Sequence, residues 1–383
     1  MNLYFVARGW PSEREPQWGS FERDQAIALN KLGHHVVVLS EDTRFRKYYR
    51  KFGITKKVNY GIPHYDFYAG AIWGKAMRRF LPKQQIKARR HFFMRLFNTV
   101  IKEEGMPDLI YAHYLGSSAL ALAAKEQYGI PVVGIEHWSE LGYTNIKDYV
   151  RVQAEQTYKN LDRLISVSNN LRENILSNFG VDSHVVFNMI GSEFYYKPIV
   201  KDDKTVRYVT TGNLLPVKGF DNLILAFSSL HLPPGTWSLN IIGEGKEHDN
   251  LQQLIDNLEL TESIHLCGRK NRAGVIEMLQ SSDVYVMSSR SETFGVAATE
   301  ALACGLPVVA TDCGGARDFM NEFNGIIVPV DDVKALADAL KRMLSEAKLY
   351  DKAKIAEDCH NRFSSEAIAM QLNNIFETVI SRK

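Results

Sequence analysis

The chain has 383 residues, of which 45% are apolar and 23% are charged, a composition that is typical of a globular protein and excludes a disordered or low-complexity one. Its length exceeds what one ordinary core needs, and no stretch approaches the roughly 20 apolar residues of a membrane-spanning helix. The net charge is only +2, but residues 1–195 carry +7 and residues 196–383 carry −5, so the two halves are expected to face different partners.

No basic segment precedes the first apolar run, Leu3–Ala7, and charged residues come soon after it. It is therefore predicted to be a buried strand and not a signal peptide. The four cysteines are scattered and form no C-x-x-C pair, which favours neither a disulfide framework nor a zinc site. These features predict a cytoplasmic location, where thiols stay reduced.

Short apolar runs alternate with helix-length segments along the chain. This alternation indicates parallel sheets that are covered by helices on both faces. The predicted strands of the first half are Leu3–Ala7, Val36–Leu39, Leu109–Ala112, Val132–Ile135 and Leu164–Val167. Those of the second half are Tyr208–Thr210, Leu239–Ile242, Ile264–Leu266, Val284–Met287, Val308–Ala310 and Gly325–Val328. The predicted helices include Phe21–Leu32, Ser117–Tyr128, Leu251–Leu258 and Val333–Leu344.

A domain boundary is predicted near residues 193–204, because the alternation starts afresh there and segment 201–204 is polar. The predicted fold class is α/β, with two tandem doubly wound, Rossmann-like domains over residues 1–195 and 196–363. Ligands of such sheets bind at the carboxyl ends of the strands, so the cleft between the domains is the expected site. Residues 364–383 are predicted to contain a C-terminal helix that packs back on the first domain.

Two glutamates follow the predicted strand Val284–Met287: Glu292 in a turn, and Glu300 about two helical turns further on. Carboxylates accept paired hydrogen bonds from vicinal hydroxyls, so one can contact a sugar ring and the other a ribose. Gly295 allows a ligand to approach the backbone closely, and free N–H groups at a helix start favour phosphate. The alternative is a helix cap and a solvated surface charge, which two glutamates alone do not exclude.

The surrounding motifs favour the functional interpretation. The motif G-x-L-x-x-x-K-G occupies residues 212–219, Phe294-Gly295 follows the first glutamate, and G-x-P-V-V-A at residues 305–310 leads to the glycine pair 314–315. In combination these motifs resemble the family-4 glycosyltransferases of GT-B fold, also called glycosyltransferase group 1. The resemblance covers essentially the whole second domain and, more weakly, the first.

This resemblance implies a nucleotide-sugar donor site in the second domain. It assigns Lys218 to the donor diphosphate, Glu292 to the donor sugar and Glu300 to the nucleoside ribose. Asn213 stands where the family usually has arginine, so diphosphate binding is weaker or another cation, for which Arg290 is the candidate, compensates. The predicted donor-binding residues are Gly19, Gly212, Asn213, Lys218, Arg290, Glu292, Phe294, Gly295, Val296 and Glu300, and the predicted catalytic residues are His137, Lys218 and Glu292.

In the first domain, which the resemblance makes the acceptor-binding domain, His137 matches a strand-end histidine that faces the reacting sugar. A lone histidine is also a common structural residue, and His113 is a weaker candidate for the same role. Gly19 precedes the predicted helix Phe21–Leu32 and is expected to approach the donor phosphates, although Ser20 stands where the family often has a second glycine. The polar segment Trp10–Trp18 is a candidate acceptor contact.

The mechanism that the resemblance implies is glycosyl transfer with retention of configuration, in which the leaving diphosphate takes the acceptor proton. No D-x-D triplet occurs in the chain, so no metal is expected, and Lys218 would supply the positive charge. Gly243-Glu244-Gly245 lacks the third glycine of a dinucleotide fingerprint and predicts no NAD site. The nucleotide-diphosphate sugar is thus expected as co-substrate, with no other cofactor.

A basic segment over residues 75–101 contains eight lysines and arginines and no acidic residue up to Arg95, with apolar residues near helical spacing. One interpretation is an amphipathic helix on an anionic membrane, which predicts a peripheral position on its inner face and a lipid-linked or glycan acceptor. The other is a helix whose apolar stripe faces the core. Nucleic-acid binding is not expected, because no nucleic-acid-binding motif is present.

Two other functions share part of this pattern. A nucleotide-sugar epimerase of GT-B fold would need the donor but no acceptor. A non-catalytic nucleotide-sugar-binding or scaffold protein is the second alternative. The E-x7-E and K-G combination argues against the epimerase, and the joint presence of His137, Lys218 and Glu292 argues against the binding protein. A transferase is therefore expected, with surface polysaccharide or glycolipid synthesis as its setting.

Overall fold

The computed structural model describes residues 1–15, 18–44, 49–70, 77, 80–142, 146–199, 205–233 and 235–382. The polar segment 201–204 and three cations of the basic segment, Lys75, Arg78 and Arg79, lie outside these residues. The chain divides into two compact units. Unit 1 comprises Met1–Met189 and Ile368–Lys383, and unit 2 comprises Ile190–Ala367.

Unit 1 contains an eight-stranded sheet with the order β3-β4-β2-β1-β5-β6-β7-β8 among the described residues. Its strands are β1 (Asn2–Ala7), β2 (His35–Asp42), β3 (Gly53–Asn59), β4 (Ile62–Tyr68), β5 (Leu109–His113), β6 (Val132–Glu136), β7 (Arg163–Ser166) and β8 (His184–Val185). Neighbouring strands are parallel except β3 and β4, which form an antiparallel hairpin at the edge.

Helices cover both faces of this sheet, as the continuous apolar strands predict. They are α1 (Ser20–Lys31), α2 (Pro82–Glu104), α3 (Tyr114–Tyr128), α4 (Asp148–Tyr158) and α5 (Asn169–Phe179). Successive residues of β1 point to opposite faces, so Leu3 and Phe5 belong to one apolar cluster and Tyr4 and Val6 to another. The sheet is therefore buried on both sides.

Unit 2 contains a six-stranded, all-parallel sheet with the order β11-β10-β9-β12-β13-β14. Its strands are β9 (Val206–Thr211), β10 (Trp237–Ile242), β11 (Ile264–Leu266), β12 (Val284–Met287), β13 (Val308–Thr311) and β14 (Gly325–Val328). Its helices are α6 (Phe220–Ser228), α7 (His248–Asn257), α8 (Arg272–Ser281), α9 (Val296–Ala303), α10 (Val333–Glu346) and α11 (Lys352–Phe363). Each unit is a Rossmann-like α/β domain, in agreement with the predicted fold class.

The last helix, α12 (Ser365–Ile380), starts at the end of unit 2 and contributes its apolar face to unit 1. Ile368, Leu372 and Phe376 are fully buried in the unit 1 core, where the Phe376 ring meets the Tyr111 ring edge-on at 4.9 Å. The chain thus returns to its N-terminal unit after completing the second one. None of the described helices combines the length and the apolar character that crossing a membrane requires.

The division between the units lies at Met189 and Ile190, earlier than the boundary after residue 195 that the sequence predicts. The reason is that residues 190–195 are held by unit 2. The Ile190 amide donates to the carbonyl of Phe363 at 2.9 Å, and the Phe194 side chain is buried, with the Arg272 guanidinium over its ring.

Candidate functional site

Lys218 and Glu292 meet at the carboxyl edge of the unit 2 sheet. Lys218 lies in the loop after β9 and Glu292 in the loop after β12, and these two strands are parallel neighbours. Their carboxyl ends are therefore adjacent, although the two residues lie far apart in sequence. The Lys218 Nζ atom donates to Glu292 Oε1 at 2.5 Å, and both side chains are largely buried, with 25% and 17% exposure.

The Glu292 carboxylate is held from several sides. The Ser289 hydroxyl donates to the same Oε1 atom at 2.7 Å. The Glu292 backbone bridges to the loop after β13, because its amide donates to the Cys313 carbonyl at 2.9 Å and its carbonyl accepts from Gly315 at 3.2 Å. The carboxylate therefore keeps one orientation, which is what a substrate contact needs. The sequence analysis did not single out Ser289, although it lies two residues after the end of β12.

Gly219 fixes the position of Lys218. It has a left-handed backbone with φ of 62°, and a Cβ atom placed there would lie 2.2 Å from the carbonyl oxygen of Ser288. The loops after β9 and β12 thus touch through their backbones, and only glycine permits this contact. Gly212 lies beside the Lys218 side chain. A Cβ atom built on Gly212 would be 3.6 Å from the Lys218 Cδ atom. Asn213 is exposed on the same loop.

Arg290 lies near this pair in sequence, but its charge is shared by two carboxylates. Its guanidinium forms two hydrogen bonds with Asp221, at 2.8 and 3.0 Å, and a third with Asp331 at 2.7 Å. These contacts anchor the loop after β12 to α6. The guanidinium would have to leave both carboxylates to compensate for Asn213.

The start of α9 faces the same edge of the sheet. Gly295 is its N-cap residue, with φ of 105° and no side-chain cap, so the first N–H groups of the helix have no side-chain acceptor. The Phe294 ring is buried edge-on against Phe319 at 5.8 Å, so Phe294 can offer only its backbone to a ligand. Helix N-termini of this kind favour anions.

Glu300 lies further along α9 and is half-buried. Burial raises the pKa of Tyr285 to about 12, and the charges of both Glu292 and Glu300 act in the same direction. The two glutamates thus both lie near one buried tyrosine, whose hydroxyl contacts Thr211 at 3.2 Å. The structure therefore brings Lys218, Glu292 and Glu300 into one region of unit 2.

A second group of predicted residues lies in unit 1, where His137 directly follows β6. Its ring is stacked between Phe21 and His113, with centroid distances of 5.9 and 5.6 Å and interplanar angles of 10° and 6°. Its Nδ1 atom contacts Asn188 Oδ1 at 3.2 Å, and its enclosed Nε2 atom has no partner among the described residues. Burial lowers the pKa of His137 to about 4 and that of His113 to about 3, so both rings are neutral near pH 7.

Glu136 orients the chain around His137. Its carboxylate accepts hydrogen bonds from the amides of His137 and Trp138, from the Leu115 amide and from the Tyr158 hydroxyl, at 2.8–3.0 Å. Burial raises the pKa of Glu136 to about 7, and these hydrogen bonds oppose that shift. The carboxylate links the start of α3 to the end of β6 and thereby places His137.

The predicted phosphate-facing residue Gly19 is the N-cap of α1, with φ of 79°. A Cβ atom at Gly19 would lie 2.2 Å from the Gly9 carbonyl oxygen, so the loop after β1 packs tightly against the start of α1. This loop begins with Arg8, whose guanidinium forms a two-point ion pair with the buried carboxylate of Glu22, with Nε–Oε1 at 2.7 Å. The sequence analysis did not predict Arg8 or Glu22, because a lone ion pair has no sequence motif.

Tyr114 is a third residue of unit 1 that the sequence analysis did not predict. It joins β5 to α3 with φ of 69°, a left-handed conformation that costs a non-glycine residue about 1–3 kcal/mol. Such strain persists only where surrounding contacts hold it.

No group of three or more histidine, cysteine, aspartate or glutamate side chains among the described residues is arranged to hold a metal ion. The cationic side chain next to Glu292 is that of Lys218.

Comparison with protein families gives a match for each half of the chain. The model described as "Glycosyltransferase Family 4" matches residues 23–194, and the model described as "Glycosyl transferases group 1" matches residues 191–357. Together they span most of both units. The chain belongs to the family-4 glycosyltransferases.

Relatives of this glycosyltransferase include TuaC of Bacillus subtilis (strain 168), a protein named for teichuronic acid biosynthesis. The two sequences are 25% identical, and the match covers 99% of each chain. The glycosyltransferase is thus related to enzymes of polysaccharide synthesis.

Solved structures show the same GT-B fold. Sucrose-phosphate synthase from Thermosynechococcus elongatus matches with a TM-score of 0.79 at 18% identity over 100% of both chains. Alr3699/HepE of Anabaena, solved in complex with UDP, matches with a TM-score of 0.74 at 17% identity. The match covers 99% of this chain and 100% of the HepE chain.

The basic segment of the glycosyltransferase is described only in part. In α2, Phe93, Phe97 and Val100 are buried in the unit 1 core, so this part of the apolar stripe faces inward. Arg89 and Arg90 form ion pairs with Glu41 and Glu126. The alternative of a core-facing stripe is therefore correct for residues 93–100.

We expect Gly219→Ala to destabilise unit 2 by more than the roughly 1–2 kcal/mol that a left-handed backbone costs an alanine, because its Cβ would also clash with Ser288. Gly268→Ala is the matched control, since Gly268 has φ of 65° but open space around its Cβ position. Urea unfolding of both variants measures the difference. Equal losses of stability would contradict the proposed backbone contact.

Proposed function

We propose that this glycosyltransferase moves a sugar from a nucleoside-diphosphate sugar to a hydroxyl of a glycan or lipid-linked glycan acceptor, with retention of anomeric configuration and without a metal ion. The observation that carries the proposal is the Lys218–Glu292 contact of 2.5 Å at the carboxyl edge of the unit 2 sheet. A cation and a carboxylate side by side match a donor whose diphosphate is anionic and whose sugar carries hydroxyls.

In the donor complex, Lys218 exchanges part of its contact with Glu292 for the donor diphosphate. The open N–H groups at Gly295 and Val296 bind the same phosphates from the start of α9. Glu292, held by Ser289, accepts hydrogen bonds from the donor sugar, and Glu300 accepts them from the ribose. His137 contributes a neutral imidazole from unit 1 that hydrogen-bonds a sugar hydroxyl.

The reaction breaks the bond between the anomeric carbon and the diphosphate oxygen. The acceptor oxygen bonds to the same carbon on the same face, and its proton passes to the leaving diphosphate. Negative charge therefore develops on the diphosphate, where Lys218 and the N–H groups of α9 stabilise it. Neutral imidazole at His137 is available throughout the neutral pH range because burial lowers its pKa to about 4.

Two likenesses support the choice of substrates. A structural neighbour was solved with UDP and, in another crystal, with UDP and glucose, which supports a nucleotide-sugar donor here. A full-length relative is named for teichuronic acid biosynthesis, which supports a polysaccharide precursor as acceptor.

Glu292→Gln tests the site assignment. We expect turnover with a panel of nucleotide sugars and glycan acceptors to fall by about tenfold to a hundredfold, because a charged hydrogen-bond acceptor is lost. The control is Glu277→Gln on α8, an exposed carboxylate of the same unit, which should keep full activity. NMR of the product determines its anomeric configuration. Full activity of Glu292→Gln, or an inverted product, would contradict the proposal.

Metal independence is tested with chelator. We expect EDTA at millimolar concentration to leave the initial rate unchanged, because lysine and backbone N–H groups supply the positive charge. The assay is repeated after dialysis and with added magnesium or manganese. A lost rate that either ion restores would show that the reaction needs a metal.

We also propose that the exposed start of α2 contacts an anionic membrane, which would make the protein peripheral on the inner, cytoplasmic face. Phe80 and Leu81, directly before α2, are 73% and 45% exposed, and Ile86 in the helix is 39% exposed next to the exposed cation Lys87. Ile86→Gln should weaken flotation with phosphatidylglycerol vesicles, whereas Met106→Gln, beyond the other end of α2, should not. Absence of flotation in the unmodified protein would refute the contact.

A further inference from the structure

Tyr114 differs from the other described non-glycine residues that have positive φ. These residues are Tyr60, Tyr114, His231, Glu259 and Asp331. The other four are exposed in turns or loops, where such conformations are common. Tyr114 instead joins β5 directly to α3 and is only partly exposed. The strain is therefore located at the carboxyl edge of the unit 1 sheet, where ligands of such sheets bind.

Glycine would adopt this backbone conformation at no steric cost. A tyrosine at this position is strained, so its side chain must contribute something that glycine lacks. The ring lies under the Arg8 guanidinium, whose Cζ atom is 4.0 Å from the ring centroid, and beside the His137 ring at 4.9 Å. Arg8 itself is fixed by the buried carboxylate of Glu22. The tyrosine ring is thus held in one position between a fixed cation and the proposed catalytic histidine.

The packing contacts of Tyr114 are made by its ring, and the hydroxyl is a separate polar group. It makes no hydrogen bond to a described residue, and it is not among the enclosed polar atoms. Burial of the ring raises the pKa of Tyr114 far above neutrality, so the hydroxyl remains a hydrogen-bond donor. A fixed O–H group next to His137 is therefore available to a ligand.

Arg8 also lines a cavity of about 700 Å³. Its lining includes Trp10 and Trp18, with the Arg44 guanidinium 3.3 Å from the centroid of the Trp18 ring. Arg44 also forms a two-point ion pair with the buried carboxylate of Asp42. Rigidly held indole rings, guanidinium groups and carboxylates match the apolar faces and hydroxyl edges of sugars, and the volume is that of an ordinary ligand site.

We propose that Tyr114 positions the acceptor: its hydroxyl donates a hydrogen bond to an oxygen of the acceptor sugar that reacts beside His137, while the rest of the glycan occupies the cavity that Arg8 lines. This inference rests on the proposed glycosyl transfer and names the acceptor class as a hydroxylated saccharide. The acceptor is the substrate concerned because the predicted diphosphate, sugar and ribose contacts of the donor belong to unit 2.

Tyr114→Phe removes the hydroxyl and keeps the ring under Arg8. With an acceptor that supports turnover, we expect its KM to rise about threefold to tenfold, the effect of one lost hydrogen bond, while the donor KM and the thermal unfolding midpoint stay unchanged. Tyr60→Phe is the matched control, because Tyr60 also has positive φ but lies 72% exposed in the turn between β3 and β4. Unchanged acceptor KM in Tyr114→Phe would overturn the proposal.

A binding measurement separates this inference from the proposed function. Saturation-transfer NMR with a panel of p-nitrophenyl hexopyranosides monitors acceptor binding without turnover. We expect the unmodified protein and Tyr60→Phe to bind the same members, and Tyr114→Phe to bind them more weakly. If turnover is absent but this pattern is seen, the proposed reaction fails and the saccharide site stands. If no member binds, or all three proteins bind alike, the assignment of Tyr114 is wrong.

Discussion

The parallel direction of neighbouring strands is the constraint on which both sites depend. In a parallel sheet all carboxyl ends open at one edge, so loops that are distant in sequence meet there. In unit 2 this brings the loop after β9 against the loop after β12, and Lys218 reaches Glu292. In unit 1 the same rule brings Arg8, Tyr114 and His137 together from the ends of β1, β5 and β6.

Close backbone contacts then hold these loops. At Gly219 the loop after β9 touches the Ser288 carbonyl, and at Gly19 the start of α1 touches the Gly9 carbonyl. Both contacts are made by backbone atoms, which move less than side chains. The side chains next to them in the proposed site therefore have little freedom. Side chains that folding has already ordered lose less conformational entropy when a ligand binds.

In unit 1, several residues around the proposed acceptor site reduce the stability of the fold. His113 and His137 are enclosed with ring nitrogens that have no partner among the described residues, and Tyr114 has a strained backbone. Each feature opposes folding, and the core of apolar residues around the sheet offsets it. Conflicts of this kind between local preference and global fold are expected where function constrains the residues.

The sequence by itself determined the fold class and the donor motif, because buried parallel strands have a continuous apolar pattern and the residues 212–219 and 292–300 are contiguous. It did not reveal β3, whose two lysines and edge position hide the strand pattern, or its partner β4. It also did not reveal that residues 190–195 are held by unit 2. Only the tertiary structure decided that Arg290 is paired with Asp221 and Asp331, that Glu22 fixes Arg8, and that Tyr114 is strained beside His137. These facts depend on contacts between residues far apart in the chain and on single backbone angles, neither of which leaves a periodic signal in the sequence.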